Sequence, residues 1–415
     1  MRNIFDQYTQ PENKLTHALI STLANDRSLI RPFLRWLGVR PLPQLKNLQL
    51  TEQQVPGEPV PAEEGESKGL PDGCIYDETN QTAVLFEAKV GSHVGVGQLR
   101  RHLRTAERYG YNVTALIVID VDGAVGGLPD GCIATTWREI YAWFRSNASE
   151  SFWARTYTSY VEKFEADMIA RDYAIRGTLT MFDGLRFDDD NPYTYREAKR
   201  LLKLMGDALQ TRKDLLALGV DPQGERRPTI SGRAAELVWD FLPMIGARGR
   251  SSFTAHPHLT LGITGKHAEA ALTIPNGIAG GFRTRLKNLG RDGFDELLKT
   301  IAANLDRVLK KSPASTPLAL LLQRHFKSQR SSGAVDGRMH FDLRTLRRVK
   351  GSRVKYQPQW SWLAYELLTN KRSNLQFQIT MQFNYNCPRV RSVEVLDLYA
   401  ESWKAMTPML EFAAE

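Results

Sequence analysis

The chain has 415 residues, 42% of them hydrophobic and 31 of them glycine, a usage that leaves little room for wholesale disorder and a length that predicts two or three domains. No apolar run approaches the ~18–20 residues of a membrane helix, the first residues lack the apolar core of a signal peptide, and Cys74, Cys132 and Cys387 are too few and scattered for a disulfide framework or a Cys-rich zinc site, so a cytoplasmic protein with no membrane partner is the expectation. The net charge of +9 is concentrated: residues 281–360 carry 18 Lys and Arg against 6 Asp and Glu, while residues 1–150 carry 15 against 18, which favours a polyanion-binding surface over general solubility charge, a solvated helix face being the plain alternative.

A helix is predicted from Pro11, with Leu15, Ala18, Leu19, Thr22 and Leu23 on one face. Proline suits its first turn, and Glu12 belongs near its positive end. A second helical piece, Leu29 to Leu37, stops at Gly38. Residues 41–70 are rich in Pro, Gln, Glu and Gly, with one short alternating run at Leu48 and Leu50. Ile75–Asp77 and Ala83–Val90 read as strands joined by the turn Glu78-Thr79-Asn80-Gln81. A helix over Gly97–Tyr109 follows. Val113–Ile119 is a nearly continuous apolar run, the mark of a central strand buried on both faces. A strand at Cys132–Thr135 and a helix over Trp137–Phe144 complete an α/β domain over 1–150.

Residues 151–250 read as a helical connecting region, with helices over Phe152–Arg171, Tyr193–Leu218 and Gly232–Leu242. Residues 251–415 read as a basic α+β domain for binding nucleic acid or a partner. Its hairpin candidates are Phe253–Ile263 with Glu269–Ile274 and Leu318–Gln323 with Met339–Leu343, separated by a helix over Phe294–Lys311. Trp360–Leu368 reads as helix, Leu375–Tyr385 as strand, and Val393–Met409 as a strand running into a helix. The heptapeptide Gly-Leu-Pro-Asp-Gly-Cys-Ile occurs at 69–75 and again at 127–133, each copy a turn that delivers the chain into a strand.

Chemistry concentrates after the first copy. Asp72 opens a predicted strand, and Glu87 and Lys89 lie two residues apart in the next, on one face by the period of a strand. Charges in an apolar run (Val84, Leu85, Phe86, Val90) are costly unless they bind something. With Asp72 on the adjacent strand, two hard oxygen ligands and an ammonium converge, a set suited to a metal ion that polarises a phosphate. The plain alternative is a turn-capping Asp72 and a same-face ion pair on an edge strand.

At these residues, Pro71-Asp72, fourteen intervening residues, then Glu87-Ala88-Lys89, the sequence resembles the PD-(D/E)XK nuclease superfamily of restriction-endonuclease-like fold. The resemblance covers about a third of the chain. It implies an α/β N-terminal domain with a mixed central sheet flanked by helices, in the order helix, strand, strand, strand, helix, strand. It implies that Asp72, Glu87 and the Ala88 carbonyl hold Mg²⁺, with Mn²⁺ as a substitute, while Lys89 positions the attacking water. Glu12 takes the place of the acid that many members carry in the first helix, and Gln98 that of the polar residue early in the helix after the E-x-K strand. Arg100, Arg101, His102 and Arg104 follow as phosphate contacts; some branches put a Tyr four residues after that Gln, where this chain has His102.

The function so implied is metal-dependent hydrolysis of DNA, by an endonuclease of bacterial defence, with Arg344, Arg347, Arg348, Lys350, Arg353 and Lys355 as the DNA-binding surface. A repair or recombination nuclease fits the same residues, as does a non-catalytic nucleic-acid-binding module with a relic fold. RNA stays open as a substrate, and a homodimer or a defence-system partner protein is compatible with the sequence. A phosphoesterase built on His258 is disfavoured, because His256-Pro257-His258-Leu259-Thr260 has no second His-x-Thr or His-x-Ser in the chain. Asp188-Asp189-Asp190 lacks the glycine and distal glutamate of a calcium loop and reads as an acidic lead into a helix. Gly277, Gly280 and Gly281 match no nucleotide fingerprint.

Overall fold

A computed structural model describes residues 4–44, 47–53, 70–92, 94–123, 126–171, 177–226, 231–233, 237–248, 255–275, 281–324, 335–349, 354–370 and 375–414. The chain forms two compact units, Met1–Met181 and Phe182–Glu415. Both mix helices and strands, and among the described residues no helix is long and apolar enough to cross a membrane.

Unit one opens with α1 (Pro11–Asn25), whose first position is the proline, and α2 (Ile30–Trp36). Then come β1 (Leu48–Glu52), β2 (Gly73–Asp77), β3 (Thr82–Ala88), α3 (Val96–Arg108), β4 (Asn112–Asp120), β5 (Cys132–Thr136), α4 (Trp137–Ser146) and α5 (Phe152–Ala170). The five strands lie in the order β1-β2-β3-β4-β5. β1, β2 and β3 pair antiparallel, whereas β3, β4 and β5 are parallel, so the sheet is mixed. Alternation along β3 and β4 sends Val84, Phe86, Ile117 and Ile119 into a core shared with Leu15 and Leu19 of α1, Ile140 of α4 and Tyr157 of α5. Leu85, Leu116 and Val118 point the other way, against Leu99 and Ala106 of α3. Both faces of the sheet are thus covered, which accounts for the uninterrupted apolar run in β4. Each fully buried Leu or Phe here contributes about 1.5–3 kcal/mol of transfer free energy.

α4 follows β5 without a loop. The Glu139 amide donates to Thr136 Oγ1 at 3.1 Å, and the Thr136 amide donates back to Glu139 Oε2 at 2.8 Å, a capping box that satisfies two otherwise orphaned donors. The heptapeptide repeats end alike: Gly73 opens β2, and Gly131, at φ 80°, turns the chain into β5.

Unit two contains α6 (Tyr195–Gln210), α7 (Lys213–Leu216), β6 (Ser231–Arg233), β7 (Leu237–Phe241), β8 (His258–Thr264), β9 (His267–Ile274), α8 (Phe282–Lys311), β10 (Thr316–Arg324), β11 (Val335–Asp342), α9 (Gln359–Thr369), β12 (Leu375–Asn384), α10 (Val395–Ala405) and α11 (Thr407–Ala414). Its seven strands form an antiparallel sheet in the order β11-β10-β12-β9-β8-β7-β6. Leu261, Leu272, Ile379 and Leu321 of this sheet share one core with Leu202 of α6, Leu298 of α8 and Trp403 of α10.

Four features differ from the sequence reading. The helix expected over Gly232–Leu242 is the hairpin β6–β7: Leu-Val-Trp-Asp-Phe, rich in branched and aromatic side chains, pairs along β8 instead of coiling. The strand expected at Val393 is absent. Val395, Leu398, Tyr399, Ser402 and Trp403 are buried at helical spacing in α10. α8 starts twelve residues earlier than read, with Gly290 at φ 74°, ψ 170° interrupting its helical backbone. Finally, 151–250 is no separate layer, since α5 packs on α1 and α4 in unit one while α6 and β7 pack in unit two.

Candidate active site

Period two puts Asp72, just ahead of β2, on the same sheet face as Cys74 and Tyr76, which pack with α3. Glu87 and Lys89, at the end of β3, follow the same alternation. The Asp72 Oδ2 accepts the Ala88 amide at 2.8 Å, so the two strand ends are tied together at the point where the acidic residues meet. Glu87 is wholly buried. Its Oε1 accepts from Lys89 Nζ at 2.5 Å and from Gln98 Nε2 at 2.8 Å, and its Oε2 lies 3.0 Å from His102 Nε2. Gln98 and His102 are one turn apart on α3, which is why both reach one carboxylate.

The electrostatics follow from this crowding. Burial, and next the Glu87 carboxylate, push the Asp72 carboxyl up to about 6, against the pull of Lys89, the Ala88 amide and His102. Burial by itself pulls the Lys89 ammonium down, but Glu87, Asp72 and Glu12 together outweigh it and hold the ammonium above its ordinary value. Lys89 is therefore a cation in the resting site, with a side chain 17% exposed.

Glu12 enters from α1, on the other side of the sheet. Its Oε1 accepts from the Val90 and Gly91 amides at 3.4 Å each, just past the end of β3. The indole of Trp137, first residue of α4, donates to the Lys89 carbonyl at 3.2 Å, and the Lys89 amide donates to the Ile119 carbonyl of β4 at 2.8 Å. The backbone carrying Lys89 is held from two elements, which leaves its side chain as the adjustable part.

Asp72, Glu87, Lys89 and Gln98 thus come together, with Glu12 beside them. His102, expected among the phosphate contacts, is instead buried as a second partner of Glu87; the sequence signal for this was its four-residue spacing from Gln98. Arg100, Arg101 and Arg104 are exposed on the outer side of α3. Of the remaining basic candidates, two arginines are ion-paired. Arg344 is clamped by Asp342, with 2.6 Å between Nη2 and Oδ2, and Arg347 Nη1 donates to Asp306 at 2.7 Å. Arg348 stacks over the Tyr356 ring at 4.6 Å, and Lys355 is exposed. Lys350 and Arg353 lie outside the described residues. Of the lower-ranked motifs, His258 is buried at the start of β8, and Asp188 accepts from Arg391 at 2.5 Å. Arg138 donates to the Thr178 hydroxyl.

Among the described residues no group of three or more His, Cys, Asp or Glu side chains forms a ready ligand set. The site offers less: two carboxylates and a neighbouring carbonyl. The Asp72 carboxyl is raised first by burial and next by the Glu87 charge, and both are what a hard cation at this oxygen pair offsets. This donor set fits Mg²⁺, which binds through one or two carboxylates and keeps several waters. It fits a metal that needs a full cage of side chains poorly. Comparison of the chain with family models and with curated proteins finds no match.

Proposed function

We propose that this protein is a Mg²⁺-dependent deoxyribonuclease of the PD-(D/E)XK type whose catalytic groups are Asp72, Glu87 and Lys89. The observation that carries the reading is the convergence of the buried Glu87 carboxylate, the half-buried Asp72 carboxylate and an ammonium at the ends of β2 and β3, where a hydrogen bond from Ala88 to Asp72 ties the strands. The order α1, α2, β1, β2, β3, α3, β4 and the mixed sheet support the same reading, being, apart from the additional short helix α2, the arrangement the resemblance implies.

In this mechanism Asp72, Glu87 and the Ala88 carbonyl would hold the ion, which would supply Lewis-acid polarisation of the scissile phosphate and of a water. Lys89 orients the attacking water and offsets the charge developing on the phosphate oxygens. Gln98 and His102 keep Glu87 aimed. Glu12 holds the Val90–Gly91 backbone, fixing the end of the strand that carries Lys89. Arg100, Arg101 and Arg104 lie on the helix that supplies Gln98 and are placed to hold phosphates flanking the scissile one. The cellular role that goes with this chemistry is endonucleolytic defence against foreign DNA.

The test is digestion of linear, circular and single-stranded DNA, and of RNA, with and without Mg²⁺, by wild type and by Lys89→Ala. The expected result is metal-dependent cleavage of circular DNA that disappears in Lys89→Ala while its circular dichroism stays that of wild type. Cleavage that persists in Lys89→Ala, or a folded wild type that cuts no nucleic acid with any divalent ion, overturns the reading.

A further inference from the structure

The cationic surplus of residues 281–360 was read as one DNA-binding surface around Arg344 to Lys355. Two of those arginines are ion-paired with Asp342 and Asp306, and a second group of cations lies on α8 and α10. The last turns of α8 pack against α10 and leave between them a groove of about 700 Å³. Val308 and Ala405, both buried, line it together with Arg307, Lys310, Lys311 and Lys404, all exposed. Its one carboxylate, Glu401, accepts from Lys311 at 2.5 Å, while Lys404 is held by Asp214 at 2.8 Å. Arg307 and Lys310 have no ion-pair or hydrogen-bond partner among the described residues.

We infer that this groove binds the sugar-phosphate backbone of a single strand of nucleic acid. Four cations face two carboxylates, Glu401 and the Asp214 that holds Lys404, which leaves the groove electropositive, and Arg307 and Lys310 remain free to reach a ligand. Arg307 to Lys311 rises about 6 Å along the helix, enough for successive phosphates of one strand. A groove of about 700 Å³ takes the backbone of one strand rather than the body of a duplex. The walls carry no aromatic side chain, so bases are not stacked and the contact reads phosphate without sequence. The inference rests on the nuclease reading for its choice of polyanion, and it adds to it the place where a displaced or single-stranded segment is held.

The experiment measures binding of a fluorescein-labelled 20-nucleotide DNA strand in EDTA, by anisotropy, across a salt series. The proteins are wild type, Arg307→Gln/Lys310→Gln, the conservative Arg307→Lys, and Lys266→Gln/Lys287→Gln, which makes the same net-charge change at exposed sites outside the groove. Removing two phosphate contacts should lower the slope of log K against log salt by about 1.4, which is about a 25-fold weaker affinity at 0.1 M if the lines meet at 1 M. Arg307→Lys should retain the wild-type slope, and Lys266→Gln/Lys287→Gln should lose much less. Equal losses in the two double variants, an unchanged slope in the groove variant, or no binding by wild type overturn the inference. Because no metal is present, these outcomes do not depend on cleavage, and failure of the catalytic reading would appear separately as absent Mg²⁺-dependent digestion.

Discussion

The amide of Ala88 donates to the carboxylate of Asp72 at 2.8 Å, so the residue between Glu87 and Lys89 is the one that fastens the two strands together. The acid that opens β2 therefore does two things at once. It adds a tie between strands already paired along their ladder, and its burial together with the nearby Glu87 charge raises its own pKa, an arrangement of the kind that function retains against stability.

Asp72→Asn separates those roles, since the amide oxygen still accepts from Ala88 while the charge is gone. At neutral pH and without metal the variant should melt at or above the wild-type temperature. Mg²⁺ should raise the wild-type melting temperature, by an amount that grows as RT ln(1 + [Mg²⁺]/Kd), about 2.7 kcal/mol at a hundredfold excess over Kd, and should leave the variant unmoved. Scanning calorimetry with and without Mg²⁺ decides it; a metal-free Asp72→Asn that melts well below wild type would contradict the repulsion argument.

Removing the imidazole of His102 leaves one oxygen of a fully buried carboxylate without that partner. His102→Ala should lose about 1–3 kcal/mol of unfolding free energy in urea and reduce cleavage, because Glu87 is no longer aimed. His102→Gln, which keeps a donor on the same helix turn, should recover part of both. Equal stability of His102→Ala and wild type would mean that the contact carries no weight.

The imidazole of His258 offers a pH test remote in sequence from the proposed metal ligands. Burial holds it at about 4, well under its ordinary value, opposed by the His256 carbonyl 3.0 Å away; the Phe241 ring packs against it at 5.5 Å. Above about pH 6.5 the ring is neutral whether the chain is folded or not. Between about 6.5 and 4 only the unfolded chain takes up the proton, so this group makes stability fall on acidification, by up to about 1.4 kcal/mol per pH unit. Urea midpoints of His258→Gln across that window should show a shallower fall than wild type, and parallel curves would refute the assignment.

Gly184 sits at φ 119°, and a Cβ there would lie 2.3 Å from the Arg391 carbonyl oxygen. Gly184→Ala should thus cost more than about 1 kcal/mol through strain and collision together, with a matching drop in the melting temperature. A neutral substitution would show that the 184 and 391 backbones separate easily.

The sequence made some of this architecture plain and hid the rest for identifiable reasons. β3 and β4 were legible because burial on both faces leaves a continuous apolar run, and the shared face of Glu87 and Lys89 follows from the period of a strand alone. His102 was obscured because its partner is fifteen residues away on another element; only the packing of α3 on the sheet brings them together. β7 was misread because a five-residue apolar segment satisfies either period, and pairing with β8, a long-range event, chose between them. Arg344 and Arg347 looked available because a charge run does not disclose which of its members meet Asp342 and Asp306.

Asp77, at the far end of β2, accepts from the Thr79 amide at 2.9 Å, the Asn80 amide at 3.1 Å and the Asn80 side chain at 2.6 Å. With Asp72 at the near end, it pins the hairpin against sliding. A slip of one residue would turn every side chain of β3 over, delivering Glu87 and Lys89 into the apolar layer beneath α1 and bringing Phe86 up in their place. The alignment of the proposed catalytic groups is therefore decided partly about 17 Å away, by a turn that touches no substrate, and a lesion there would disarm the chemistry without altering a single residue that performs it.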